Sequence, residues 1–252
     1  MNWITTITFV IYATISILLM ASYFYFVFFQ KDKHAKDQEL KELSASKLVN
    51  RVTREWWMWI TNPVEEYLVQ KKFHPNTLTF LGLAITTLSF IGYSFGWFVF
   101  AGWCVLIGGT MDIFDGRIAR RLGKTSKSGE FLDANMDRIG ESLIFLGLLN
   151  YYTNTLFFYI VFTAFVASQM VSYAKARGES LSIEAKVGLM QRPERIVWIG
   201  VPSVLSPLFA TGAHYFFPIS NTWLASVGIT VVAIMSSYTF YERFTYISKK
   251  LS

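Results

Sequence analysis

Cysteine, histidine and outward-facing charge are scarce in this chain, and each scarcity excludes something. The one cysteine, Cys104, lies in an apolar stretch, so no disulfide framework exists and nothing speaks for an oxidising compartment. With no histidine or base pattern beside it, Cys104 reads as a small buried hydrophobe rather than a catalytic thiol. The three histidines, His34, His74 and His214, show no paired metal spacing, which argues for interfacial or loop roles over ligation. No side chain suited to a covalent intermediate is evident, and no repeat or low-complexity stretch stands out. From Asn2 to Gln30 there is no charged side chain at all.

What is present is apolar length. At 252 residues, with 53% hydrophobic and 17% aromatic residues and a mean hydropathy of +0.37, the chain is expected to be a polytopic membrane helical bundle, all-α. Its formal charge of +6 then reflects cytoplasmic loops and an anionic lipid surface, with no nucleic-acid partner. Residues 1–30 read as an uncleaved N-terminal transmembrane anchor: the segment is too long for a signal-peptide core and lacks a basic start, while Lys31 and Lys33 follow it. Residues 31–74 read as a cytoplasmic linker, helical around Lys36 to Lys47, followed by an interfacial amphipathic helix from Trp56 to Lys72. Residues 75–252 hold six apolar segments, expected at about Pro75–Tyr93, Phe98–Arg121, Gly129–Asn150, Thr153–Ala176, Arg192–Phe209 and Thr222–Ile247. Gly92-x3-Gly96 is a small-x3-small spacing that suits helix packing or a homodimer.

Charge placement tests this span count. The external connections would be Ser94–Trp97, Tyr151–Tyr152 and Ala210–Asn221, and none holds Lys, Arg, Asp or Glu. All 23 basic and 17 acidic residues fall on the other side. The positive-inside rule makes that side the cytoplasm and puts the N-terminus outside, as expected for a prokaryotic inner membrane protein.

Four aspartates interrupt the apolar pattern: Asp112 and Asp115, three apart, and Asp133 and Asp137, four apart. Each pair shares one helix face. Four carboxylates at the ends of hydrophobic helices are costly unless something positive neutralises them. Two pairs of hard oxygen ligands can hold two divalent cations, and such ions commonly serve phosphate chemistry. Gly116 and Ala119 follow on the face of Asp112 and leave room for a group to approach the backbone. Arg120 is placed to meet phosphate oxygens. The loop Leu122–Ser128, with Lys124 and Lys127, returns the chain so that the second pair faces the first. Taken alone, Pro75-Asn76 would only start a helix. Arg138, Lys175, Arg177, Arg192 and Arg195, if folded together, would form a cationic pocket for a phosphorylated molecule, or serve simply as positive-inside anchors.

The run Asp112-x2-Asp115-Gly116-x2-Ala119-Arg120-x8-Gly129-x3-Asp133-x3-Asp137 resembles the signature of the CDP-alcohol phosphotransferase family at every fixed position. The resemblance covers about Pro75 to Ile247, whose six expected spans equal that family's helical core; the N-terminal anchor and linker lie outside it. It implies that Asp112, Asp115 and Asp133 are metal ligands for magnesium or manganese, and that Asp137 is both a ligand and the general base. It further implies that Asn76, Thr79, Gly116, Ala119, Arg120, Gly129 and Thr125 or Ser126 contact the CDP-linked donor. The segments Asp137-Arg138-x2-Glu141, Ser172-Tyr173-x-Lys175-x-Arg177 and Arg192-Pro193-Glu194-Arg195 look like the prokaryotic phosphatidylinositol-phosphate synthase branch. There the donor is CDP-diacylglycerol, the acceptor is inositol phosphate, and the matching basic residues bind its phosphate. A phosphatidylglycerophosphate synthase, or another acceptor, is the nearest alternative. From a different class, a cation transporter could use the same carboxylates, but no charge lies deeper in the membrane to relay an ion across it.

Overall fold

The computed structural model describes residues 3–30, 51–185, 187–213 and 221–251. Among them every regular element is helical. The expected helix around Lys36 to Lys47 lies outside the described residues, as do residues 214–220 of the expected Ala210–Asn221 connection. The chain forms two compact units, residues 1–64 and 65–252.

In the first unit, α1 (Trp3–Tyr25) continues into a π-helical turn, Phe26–Gln30. The helix α2 (Arg51–Gln70) starts in this unit and ends in the second. Aromatic residues join α1 to the start of α2: Trp56 Nε1 donates to Ser22 Oγ at 3.1 Å. Tyr23 meets the Trp56 ring edge-on at 5.4 Å between centroids. Paired aromatics of this kind carry large apolar area and a polar tip, which suits the membrane interface.

The second unit holds α3 (Pro75–Ser94), α4 (Phe98–Arg121), α5 (Lys127–Tyr151), α6 (Phe157–Ser180), α7 (Arg192–Ala213) and α8 (Trp223–Leu251). Four of these, α3, α4, α6 and α8, are long and apolar enough to cross a membrane. The helices α5 and α7 have the length, 25 and 22 residues, but carry the acids and bases of the site in their first turns. Large apolar side chains such as Phe80, Leu88, Ile107, Phe162 and Ile234 point outward, as lipid-facing helices require.

Packing follows the small residues. α3 lies against α4 and α5, α4 against α7, and α8 against α6 and α7. A Cβ on Gly102 would stand 2.8 Å from the Gly200 carbonyl, so α4 and α7 cross with their backbones nearly touching. Hydroxyls join the helices where apolar packing lacks direction: Tyr93 OH and Ser203 Oγ lie 2.9 Å apart, and Tyr152 OH and Ser226 Oγ 2.8 Å. The first helix of the six begins as expected, with Pro75 in its first turn after an extended His74. The expected start of α6 at Thr153 is four residues early. Thr155 bonds the Tyr152 carbonyl through its hydroxyl at 2.9 Å and its N–H at 3.0 Å, which forms a turn before the helix.

Near the site, the end of α2 belongs to the core of the second unit. Leu68 and Val69 pack on Leu78, Phe114 and Ile118. Glu65 is fully buried and pairs with Arg117 at 2.9 Å and Arg121 at 3.2 Å. Two guanidinium groups thus tie the motif-bearing end of α4 to α2.

Candidate active site

The chain reverses between α4 and α5 through a short, well-capped turn. Gly123 takes a left-handed φ of +64°, and the Lys124 N–H reaches back to the Ala119 carbonyl at 2.8 Å, closing the helix end. Ser126 then caps α5, its hydroxyl accepting the Gly129 N–H at 3.1 Å. Both helices then pack against α3.

That reversal brings Asp112, Asp133 and Asp137 together. One oxygen from each lies within 4.8 Å of the others. All are partly buried, so repulsion among three carboxylates is poorly screened there. Arg192, from the first turn of α7, offsets two of them: Nη1 stands 2.5 Å from Asp112 Oδ2 and Nη2 2.5 Å from Asp137 Oδ1. Asp133 has no such partner, and its Oδ1 is buried without a hydrogen bond. A buried carboxylate oxygen left bare is unfavourable unless a cation meets it. Hard oxygen donors on two opposed helices, one of them orphaned, fit a divalent metal. A cavity of about 40 Å³ lies behind Asp112 and Asp137, reaching Thr86, Gly108 and Gly140, roughly the space of one or two waters.

The fourth aspartate lies outside this group of three. Asp115, expected beside Asp112, is 5% exposed, and its Oδ2 accepts the Thr79 hydroxyl at 2.5 Å. It does not join the three-carboxylate group. Residues three apart on a helix still diverge by about 60° around its axis, enough to turn Asp115 toward α3. Thr79, expected among the donor contacts, thus first serves an aspartate.

The other expected donor contacts line the same end. The Arg120 guanidinium folds near Gly116, where an added Cβ would lie 3.5 Å from Nη1. A Cβ on Gly129 would lie 3.1 Å from Ser126 Oγ and 3.7 Å from Asn76 Oδ1, so α3, the turn and α5 converge there. Ala119 is partly buried; Thr125 and Ser126 are exposed.

The basic residues divide. Lys175 and Arg177 are exposed at the end of α6, Lys175 with Glu179 at 3.8 Å and Arg177 near the Ser180 hydroxyl at 3.5 Å. Arg138 is half-buried, 3.6 Å from Glu141. Arg195 lies deeper than the others. It is 1% exposed, and its guanidinium grips Glu141 in a fork, Nε to Oε1 at 2.5 Å and Nη2 to Oε2 at 3.1 Å. Ser172 Oγ at 3.2 Å and the Met190 carbonyl at 3.4 Å take two more of its five donors. A group so enclosed ties α5, α6 and α7 together, and it also lines the cavity behind Asp112 and Asp137. Glu141, one turn after Asp137, is the residue sequence reasoning did not assign; its spacing from Asp137 on one helix face was the available signal.

A family model described as CDP-alcohol phosphatidyltransferase matches residues 72–237. A phosphatidylinositol phosphate synthase of Cutibacterium acnes is 32% identical over 193 residues, covering 72% of this chain and 93% of the relative. Among solved structures, the Mycobacterium tuberculosis phosphatidylinositol phosphate synthase with CDP-DAG bound superposes with a TM-score of 0.62 at 25% identity, over 75% of this chain and 93% of that one. The same enzyme in complex with manganese and citrate gives a TM-score of 0.63 at 25% identity, over 75% and 88%.

Proposed function

The chain belongs to the CDP-alcohol phosphatidyltransferase family, and we infer that it transfers a phosphatidyl group from CDP-diacylglycerol to a hydroxyl of inositol phosphate, releasing CMP. It is an integral membrane phosphatidyltransferase of phospholipid biosynthesis. The observation that carries the reading is the meeting of Asp112, Asp133 and Asp137 from two opposed helices.

Asp112, Asp133 and Asp137, with Asp115 beside them, would hold two divalent cations, magnesium or manganese, which when bound neutralise the donor pyrophosphate and the departing CMP. The rest falls to the chain's own groups. Asn76, Gly116, Ala119, Arg120, Ser126 and Gly129, with Thr125 and Thr79, form the rim that receives the CDP moiety. Arg120 offers a guanidinium fork to phosphate oxygens. Asp137 accepts the proton of the attacking hydroxyl as its oxygen bonds the phosphorus that carries diacylglycerol, and the bond from that phosphorus to CMP breaks. Direct displacement needs no covalent enzyme intermediate.

Arg192 reaches two of the carboxylates, so it stands where a phosphorylated acceptor would approach them. Arg138, Lys175 and Arg177 extend the positive face. Arg195 supports this face from within through Glu141. Residues 1–30 serve as an added anchor before the linker, and residues from 75 on form the catalytic core. The site faces the cytoplasm of a prokaryotic inner membrane with the N-terminus outside; the charge-free external connections support that orientation.

The test is an acceptor panel. Purified protein with CDP-diacylglycerol and magnesium or manganese is offered inositol 1-phosphate, glycerol 3-phosphate, inositol or serine, and lipids are read by mass spectrometry. The reading predicts phosphatidylinositol phosphate as the product. A product only from glycerol 3-phosphate would move the assignment to a phosphatidylglycerophosphate synthase.

A further inference from the structure

We propose that Thr239 and Arg243, on α8, are positioning residues for the acceptor side of the site, holding the connection between α6 and α7 so that Arg192 and Arg195 enter their ion pairs. The substrate named in its test rests on the transfer reading above. Both residues lie beyond residue 237, where the family match ends.

The connection leads straight into α7 and buries two of its side chains, Ala185 at 2% and Met190 at 0% exposed. Buried peptide groups must find partners. Thr239 Oγ1, itself fully buried, accepts two consecutive backbone N–H groups, from Leu189 at 3.1 Å and Met190 at 3.0 Å. Gly188 has φ +102°, and a Cβ there would stand 2.2 Å from Thr239 Cγ2. Glycine alone lets the connection come this close to α8. One turn further along, Arg243, 4% exposed, donates from Nε to the Val187 carbonyl at 3.0 Å and from Nη1 to the Val171 carbonyl at 2.8 Å. A single guanidinium therefore joins the connection to α6.

The consequence reaches the site within a few bonds. The Met190 carbonyl accepts Arg195 Nη1, and Arg195 forks onto Glu141, one turn from Asp137. Arg192 follows Met190 by two residues and spans Asp112 and Asp137. Thr239 and Arg243 act through the peptide at 187–190.

The variant Thr239→Val keeps the shape and removes the acceptor, while Thr239→Ser keeps the acceptor. In full-length protein in nanodiscs, T239V is expected to raise the KM for inositol phosphate about tenfold and to leave the KM for CDP-diacylglycerol unchanged. T239S restores the wild-type value. Amide exchange at Leu189 and Met190 rises in T239V alone. A purely structural hydroxyl would lower Tm and move both KM values together, which would overturn the proposal; so would an unchanged acceptor KM. If T239V fails to fold, Arg243→Lys replaces it, because one ammonium cannot fork to both carbonyls as the guanidinium does. R243K with a normal acceptor KM overturns the proposal equally. Failure of the transfer reading shows differently, as wild-type protein that does not consume inositol phosphate. In that event unchanged exchange at Leu189 and Met190 in T239V refutes the clamp on its own.

Discussion

Replacing Arg195 with methionine removes a guanidinium that is 1% exposed and leaves Glu141, 7% exposed, facing the interior. The lost contacts are two N–H···O bonds to that carboxylate, one to Ser172 and one to the Met190 carbonyl. Arg138 remains, but at 3.6 Å and with a half-exposed side chain it replaces little of the field. Removing one partner of a buried pair costs about 3–5 kcal/mol, because the other charge stays behind. For a chain of this size that is a fall of about 10 °C in Tm. Replacing both residues with methionine strands no acid, so R195M/E141M should recover more than half of the loss, with a coupling energy of at least about 2 kcal/mol in the double-mutant cycle. Thermal unfolding in detergent, followed by tryptophan fluorescence, measures all four proteins. An R195M variant as stable as wild type, or a double variant no better than the single, would refute the internal-pair account and return Arg195 to the ligand-facing surface.

Three further outcomes follow from the site. Asp137→Asn should abolish transfer while Tm stays within a few degrees, whereas Asp112→Asn should weaken metal-dependent donor binding; turnover retained in both, by CMP release, contradicts the roles given them. Thr79→Val deprives Asp115 of its hydroxyl donor and should lower kcat/KM by about tenfold or more, with Thr79→Ser near wild type, since hydrogen bonds to charged groups contribute about 1.5–3 kcal/mol. Steady-state kinetics on the three proteins decide it, and equal rates for T79V and wild type would dismiss that bond. Glu65→Gln leaves Arg117 and Arg121 facing a neutral amide and should destabilise the chain by about 3 kcal/mol, read as a lower Tm; no change would mean that the tie between α2 and α4 is not stabilising.

Much of this was legible from local pattern. Pro75 and the charge-free connections between apolar runs marked helix boundaries because capping and hydropathy are local properties. The fourteen residues from Asp112 to Thr125 and the next twelve carried the carboxylate spacing, and a short reversal leaves few ways to place two helix ends. The fork of Arg195 on Glu141 was not legible. It joins residues 54 apart in sequence, and a basic residue at a helix start satisfies positive-inside anchoring just as well. The Asp115–Thr79 bond was not legible for a related reason: helical periodicity puts Asp115 on the face of Asp112, but only the position of Thr79 on a neighbouring helix decides which hydroxyl its carboxylate meets. The burial of Glu65, Leu68 and Val69 was not legible because they look like the end of an amphipathic surface helix until Arg117, Arg121 and Phe114 are seen beside them.

CMP release from CDP-diacylglycerol, followed against manganese concentration in wild type and in D112N, D133N and D137N, puts the opposed-carboxylate site to its most direct trial. The expected result is no release in chelator, recovery on adding the cation, and loss of that recovery in each variant. Release that persists in chelator, or a D133N enzyme with the wild-type cation dependence, would contradict it.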